Sequence, residues 1–222
     1  MKYLIMCAGN YANWKTPKQL TRIHGEPIVV RTTRLLVECG VNKKDITVTS
    51  SKENATEFMR YCDNVQVYNP NEYNVKGYDD FTGYWCDCFV PTNEPTTYLC
   101  GDVVFSPNAI KKIVETETDD IEFFASAPPF SKQYSKKWAE PFAFKVVNQE
   151  HLKAAQESTK TLYELGKFRR KPLAWEFWQV IKHTELNKID YTNYTVINDY
   201  TCDIDEPEDI KKFEGGKKWP TI

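Results

Sequence analysis

The feature that constrains this chain most is an alternation of two hydrophobic periods. Short apolar runs are followed by stretches that are apolar every three or four residues, again and again through the first half. Tyr3–Cys7 is a compact apolar run that stops at Ala8-Gly9, and Pro27–Cys39 then reads as an amphipathic helix closed by Gly40. Ile46–Thr49 is the next strand, Glu53–Tyr61 the next helix and Val65–Tyr68 a third strand. A helix is expected to begin at Thr82 or Gly83, followed by a strand at Thr96–Cys100. Asn108–Val114 is helical after Pro107, a residue suited to a first helical turn. Such β–α alternation with short connections predicts an α/β fold, a Rossmann-like three-layer α/β/α domain with a mostly parallel central sheet.

The second half is less regular. Glu122–Ala127 and Phe142–Val147 read as strands, and Gln149–Ser158 and Leu173–Lys182 as helices. Tyr194–Ile197 and Thr201–Ile204 are short strand candidates, and Glu206–Phe213 is a terminal helix with Pro207 in its first turn. The aromatics gathered between Tyr134 and Trp178 fit a core or a pocket wall, and periodicity does not separate the two. At 222 residues the chain suits one α/β domain and is rather short for two.

Composition narrows the function classes. A net charge of −2 lacks the basic excess of a nucleic-acid binder. No apolar run approaches the roughly 20 residues that span a bilayer, so no membrane role is expected. The opening MKYLIMCAGN reads as a buried first strand rather than a signal peptide, and a cytoplasmic location is expected. The seven cysteines show no repeating spacing, and Cys86-Asp87-Cys88 is too tight for a zinc knuckle, so scattered reduced thiols are expected.

Three segments carry candidate chemistry. The loop after the first strand, Ala8 to Leu20, has one glycine and the lysines Lys15 and Lys18, a set able to cradle phosphates with backbone N–H groups and cations. It has neither the GxxxxGK[ST] spacing nor GxGxxG. A turn with solvated lysines is the alternative. Gly101-Asp102, just past a buried strand, puts a carboxylate at the same sheet edge. Far downstream, Asp203 and Asp205 fall on one face of a short strand. Mg²⁺ takes hard oxygen ligands, and Asp102 with Asp203 or Asp205 would supply them. Glu206, Glu208 and Asp209 are better explained as helix-start acids, and Asp205 fits a cap as well as a ligand.

Taken together, these segments resemble the GT-A-type nucleotidyltransferase superfamily, which includes small cytidylyltransferases and molybdenum-cofactor nucleotidyltransferases. The resemblance rests on Leu4-Ile5-Met6-Cys7-Ala8-Gly9, Pro17-Lys18-Gln19-Leu20, Gly25-Glu26-Pro27-Ile28, Leu99-Cys100-Gly101-Asp102-Val103 and Asp203-Ile204-Asp205-Glu206-Pro207-Glu208-Asp209-Ile210, in the family's order. The chain departs from the family at Tyr11, where a second loop glycine is usual, and at Asn13, where an arginine is usual.

The resemblance implies a single domain whose residues 1–115 form a nucleotide-binding half and 116–222 an acceptor-binding half. It also implies an Mg²⁺-dependent enzyme moving a nucleoside monophosphate from an NTP, with CTP the first choice, to a small phosphorylated acceptor. Lys18 and Asp102 are its implied catalytic residues. Cys7, Ala8, Gly9, Asn10, Lys15, Lys18, Gly83 and Gly101 are the implied nucleotide contacts, and Asp102, Asp203 and Asp205 the implied metal ligands. Arg169 and Arg170 are candidate acceptor-phosphate residues, since guanidinium forks suit phosphate, with a solvated basic patch as the alternative, and Lys145 is a further candidate. A UTP- or GTP-dependent sugar-1-phosphate enzyme, a GT-A glycosyltransferase and a nucleotide-binding relic are the alternatives. Many relatives are dimers, and a homodimer is left open.

Overall fold

The computed structural model describes residues 1–9, 14–68, 83–126 and 140–214. In chain order the strands are β1 (Lys2–Cys7), β2 (Arg22–Ile23), β3 (Glu26–Pro27), β4 (Ile46–Ser50), β5 (Val65–Val67), β6 (Thr96–Cys100), β7 (Val103–Val104), β8 (Ile121–Ala125), β9 (Pro141–Val146), β10 (Thr195–Val196) and β11 (Cys202–Asp203). The helices are α1 (Ile28–Glu38), α2 (Ala55–Phe58), α3 (Pro107–Glu115), α4 (Gln149–Glu164), α5 (Ala174–Ile181) and α6 (Lys211–Glu214).

Seven strands form one sheet in the order β10-β8-β9-β6-β1-β4-β5. All neighbours are parallel except β9, which runs antiparallel to both β6 and β8. The expected α/β architecture with a mostly parallel sheet is therefore present. Each face is covered, because side chains alternate along the strands. Tyr3, Ile5 and Leu99 pack with residues of α1 and α3 on one side, while Leu4, Tyr98 and Phe123 pack with α4 and α5 on the other.

Tyr134 and Trp138 of the aromatic-rich stretch lie outside the described residues, and its later members Phe144, Trp175, Phe177 and Trp178 are core. Phe89, Tyr98, Phe123, Phe144, Phe177 and Trp178 are buried in mutual ring contact, with Phe123 and Phe144 stacked at 4.3 Å. Every residue of α5 is buried, including Glu176 and Gln179, whose polar groups are hydrogen-bonded.

Local signals set most boundaries. Helix α1 ends as expected at Gly40, whose φ of +88° is the left-handed conformation a Schellman turn requires. Helix α3 begins at Pro107, with the Ser106 hydroxyl accepting from Ala109 N–H at 2.9 Å. Other expectations were too long or too short. The helix expected near Gly83 is a 3₁₀ turn at Trp85–Cys88, and Thr82 lies outside the described residues. The helix expected over Glu53–Tyr61 is only Ala55–Phe58, and that over Gln149–Ser158 runs on to Glu164. The terminal helix is split into a 3₁₀ turn at Pro207–Ile210 and α6, and the strand expected to reach Ala127 ends at Ala125 in the described residues. Terminal turns are where packing overrides local preference most easily.

All seven cysteines are unbridged, as expected. Burial holds the thiols of Cys7 and Cys88 well above the ordinary range and pushes Cys86 up to about 12 and Cys62 up to about 11. The unfolded chain gives up these protons near pH 8.5, whereas the fold keeps them. Their contribution to stability is thus complete below that pH and is lost as the pH rises toward the folded values. The urea midpoint is expected to fall steadily from pH 8 to pH 10, and less steeply in a Cys86→Ala/Cys88→Ala variant. An equal slope in both proteins would count against this account.

Candidate active site

The strand order itself marks a location. From β1 the chain adds β4 and β5 on one side, then crosses to place β6 on the other. In open α/β sheets a ligand crevice opens beyond the carboxyl ends of the strands where the order reverses. Here that point lies between Cys7 at the end of β1 and Cys100 at the end of β6, whose neighbours Gly101 and Asp102 follow directly.

Gly101 makes the junction possible. Its N–H donates to Met6 O at 3.0 Å, which draws the β6 exit against β1. A Cβ added there would lie 2.5 Å from Met6 O and against Cys7 Sγ. Backbone on one side and a buried strand end on the other cannot yield cheaply. Gly101→Ala is expected to cost about 3 kcal/mol, seen as a fall in Tm of about 6–12 °C by calorimetry. An unchanged Tm would show that the two strands separate more easily than this packing implies.

Two small antiparallel strand pairs then frame the charged groups. The turn His24-Gly25, with φ of +52° and +84°, joins β2 to β3 and brings Pro27 to the start of α1. Ahead of it, Lys18 opens a 3₁₀ turn at Lys18–Leu20. On the other side, β11 pairs antiparallel with β7, with Asp203 opposite Val103, and Ile204 N–H donates to Asp102 O at 3.0 Å. The C-terminal segment is thereby stitched beside the end of β6.

The result is one charged cluster from three segments far apart in sequence. Lys18 Nζ lies 2.6 Å from Asp102 Oδ2 and 3.6 Å from Asp205 Oδ1. The Lys18 side chain is 0% exposed, against 20% for Asp102 and 25% for Asp205. A buried ammonium is costly in an apolar setting, and the paired carboxylates offset that cost. Asp203 and Asp102 also add negative potential near Cys100, whose thiol is pushed well above its ordinary range, first by burial and then by these charges.

Most of the residues expected at the site fall within the described part of the chain. Lys18, Asp102 and Asp205 are together, and Cys7, Ala8, Gly9 and Gly101 border them at the β1 and β6 exits. Lys15 is exposed on the loop three residues before Lys18. Asn10, Tyr11 and Asn13 lie outside the described residues. Gly83 is buried beside the Trp85–Cys88 turn. The Arg169-Arg170-Lys171 run belongs to the loop from α4 to α5 and leans toward that turn, with Lys171 Nζ 5.2 Å from the Tyr84 ring centre. Arg169 is exposed, and Arg170 Nε donates to Glu176 Oε1 at 2.8 Å.

Lys145 has another task. It is 4% exposed, and its ammonium donates to Val114 O at 3.0 Å and Thr116 O at 2.5 Å, capping the C-terminal end of α3. On β9 it sits opposite Thr97, near the start of β6, which is the sheet edge away from Asp102. It is therefore not carried forward as an acceptor residue. Asp203 lies on β11 beside the site, where its charge acts on Cys100 together with that of Asp102. Asp205, beyond the end of β11, lies 3.6 Å from Lys18 Nζ.

Two residues were not singled out in sequence. Trp14 Nε1 donates to Asp205 O at 2.9 Å, tying the loop after β1 to the C-terminal segment. Glu140, 6% exposed at the start of β9, adds its charge to those near Cys100. No local motif marks either one, since both act across the tertiary fold.

Among the described residues, no three His, Cys, Asp or Glu side chains converge as a metal-binding group. The chain itself offers the Asp102 and Asp205 carboxylates around a position where a positive charge, the Lys18 ammonium, already sits. That donor set fits Mg²⁺, which commonly takes one or two carboxylates and completes its octahedron with phosphate oxygens and water. No helix among the described residues is long and apolar enough to cross a membrane.

Comparison with known proteins bears out the fold. No protein-family model matches the chain. A 69-residue stretch is 32% identical to 2-C-methyl-D-erythritol 4-phosphate cytidylyltransferase of Fusobacterium nucleatum, covering 31% of this chain and 29% of that protein. The match thus spans less than a third of the curated relative. Over nearly the whole chain, the structure resembles UDP-glucose pyrophosphorylase of Acinetobacter baumannii, with a TM-score of 0.58, 11% identity and coverage of 97% and 94% of the two chains. It also resembles a glucose-1-phosphate thymidylyltransferase from Bacillus anthracis, with a TM-score of 0.57, 12% identity and coverage of 96% and 93%. A third is 4-diphosphocytidyl-2C-methyl-D-erythritol synthase of Anaerococcus prevotii, with a TM-score of 0.55, 13% identity and coverage of 95% and 94%. The chain shares the fold of these nucleotidyltransferases over 95–97% of its length, as the resemblance implied.

Proposed function

We propose that this chain is an Mg²⁺-dependent nucleotidyltransferase that moves a nucleoside monophosphate from an NTP to a small phosphorylated acceptor and releases pyrophosphate. The observation that carries the reading is the convergence of Lys18, Asp102 and Asp205 at the sheet's reversal point, beside the glycine-bearing exits of β1 and β6. CTP is the favoured nucleotide, because the partial sequence match is to a cytidylyltransferase.

In this reading an acceptor phosphate oxygen forms a bond to the α-phosphorus, and the bond from that phosphorus to the bridging oxygen of the β-phosphate breaks. The electron pair leaves with pyrophosphate. An anionic nucleophile needs no general base, so the protein's work is positioning and charge neutralisation. Backbone groups at Cys7, Ala8, Gly9, Asn10 and Gly101 approach the phosphates, and Gly83 approaches the base. Lys18 turns from its carboxylates to the α-phosphate, where negative charge develops, and Lys15 meets the outer phosphates. Arg169 and Arg170 hold the acceptor phosphate.

Asp102 and Asp205, with Asp203 beside them, would hold Mg²⁺, which supplies neutralisation of phosphate charge. A glycosyltransferase reading would want a second aspartate two residues after Asp102, and Val103 and Val104 there are buried in the small β7–β11 sheet. The test is a matrix of four NTPs against phosphorylated polyols, choline-type alcohols and sugars, reading pyrophosphate. Release with CTP and one acceptor class supports the proposal, and release with UTP or GTP alone would reassign the nucleotide. Binding of NTP without release across the matrix would sink the catalytic reading.

A further inference from the structure

We propose that Trp14 and Asp209 are positioning residues that fix the Asp205 carboxylate in place and thereby set the affinity of the site for a divalent cation. The inference rests on the nucleotidyltransferase reading above. Asp205 has a short side chain, so where its carboxylate points is decided mainly by where its backbone is held.

That backbone is gripped from three directions. The Trp14 indole N–H donates to the Asp205 carbonyl at 2.9 Å. Asp209 Oδ2 accepts from the N–H of Asp205 at 3.0 Å and from that of Glu206 at 2.9 Å. One residue earlier, Ile204 N–H is bound to Asp102 O at 3.0 Å. Asp209 is 9% exposed, so its carboxylate works in a setting where charge-assisted hydrogen bonds are strong.

The origins of these contacts give them meaning. Trp14 stands four residues before Lys18, on the loop that leaves β1, and packs on the apolar cluster of Ile23, Ile28, Val104, Cys202, Ile204 and Phe213. A shift of that loop is passed through one hydrogen bond to the carboxylate facing Lys18. Asp209 also closes the Pro207–Ile210 turn as a reciprocal cap. A cap alone would contribute to stability. A cap whose carboxylate oxygen also holds the backbone N–H of Asp205 acts on the ligand itself, as outer partners of metal ligands commonly do.

The experiment measures Mn²⁺ binding by the loss of the free-ion spin-resonance signal on the full chain, together with a thermal melt of each variant. Asp209→Ala is expected to weaken Mn²⁺ binding about 10- to 100-fold. Asp209→Asn, whose amide oxygen can still accept both N–H groups, should recover most of that loss. Trp14→Phe, which keeps ring packing and removes the donor, is expected to weaken binding about 3- to 10-fold. In the transfer assay the same variants should raise the half-saturating Mg²⁺ concentration more than they lower kcat.

Variants that melt earlier yet bind Mn²⁺ as the wild type does would overturn the inference and leave the nucleotidyltransferase reading intact. A wild-type chain that neither binds Mn²⁺ nor releases pyrophosphate would remove that reading, and the inference with it.

Discussion

Lys18→Ala is expected to lower the rate of pyrophosphate release by about 10²- to 10³-fold, the loss typical of removing one group aimed at charge developing in a transition state. Stability should change little, because Asp102 and Asp205 are partly exposed and can be rehydrated once the ammonium has gone. The two measurements together are informative. A large rate loss with an unchanged melt places Lys18 in the chemistry rather than in the scaffold. Retention of full activity would show that the α-phosphate is neutralised elsewhere and that the Lys18 pairing is structural only.

Asp102→Ala should have the opposite balance, with a large effect on both quantities. It removes a carboxylate proposed to hold Mg²⁺ and leaves a fully buried ammonium with Asp205 at 3.6 Å. Breaking a buried pair by deleting one partner is expected to cost about 3 kcal/mol, near the low end because Asp205 remains. For a chain of this size that is a fall in Tm of about 6–12 °C. The double variant Lys18→Met/Asp102→Ala should recover most of the melting temperature, since no buried charge is then left unpaired. It should recover none of the rate. The cycle of four proteins gives the coupling energy of the pair directly. A double variant no more stable than Asp102→Ala would mean that the ammonium is hydrated in solution despite its burial.

Much of the scaffold was legible from periodicity because the forces that shape it are local. Apolar runs of five or six residues, such as Tyr3–Cys7 and Thr96–Cys100, can bury both faces only inside a covered sheet. Gly40 and Pro107 marked helix ends through backbone geometry that other residues adopt poorly. The lengths of α2, α4 and the terminal turns were misjudged, because their extent follows packing, of α2 on β4 and β5, of α4 on α5 and of the terminal turns on the small β7–β11 sheet, rather than propensity.

The candidate site divides in the same way. Lys18 could be picked out from the lysine-bearing loop and the Pro17-Lys18-Gln19-Leu20 resemblance, Asp205 because it shares a strand face with Asp203, and Asp102 because it follows a buried strand. Lys145 was picked out on the same logic and proved to cap α3, since sequence does not say toward which sheet edge a strand residue's long side chain reaches. Trp14 and Asp209 drew no attention as partners of Asp205. Their link to it runs between the loop after β1 and the C-terminal segment, and no sequence spacing encodes that.

The sequence alone therefore determined the α/β class, the central first strand and the three segments able to carry phosphate and metal chemistry, because hydrophobic period and turn residues act over a few positions. Only the tertiary structure decided that β6 returns beside β1, that Lys18 is buried against Asp102 and Asp205, and that Lys145 points away. Those outcomes depend on strand order and on contacts between residues up to 191 positions apart, where burying charge and satisfying backbone hydrogen bonds select one arrangement.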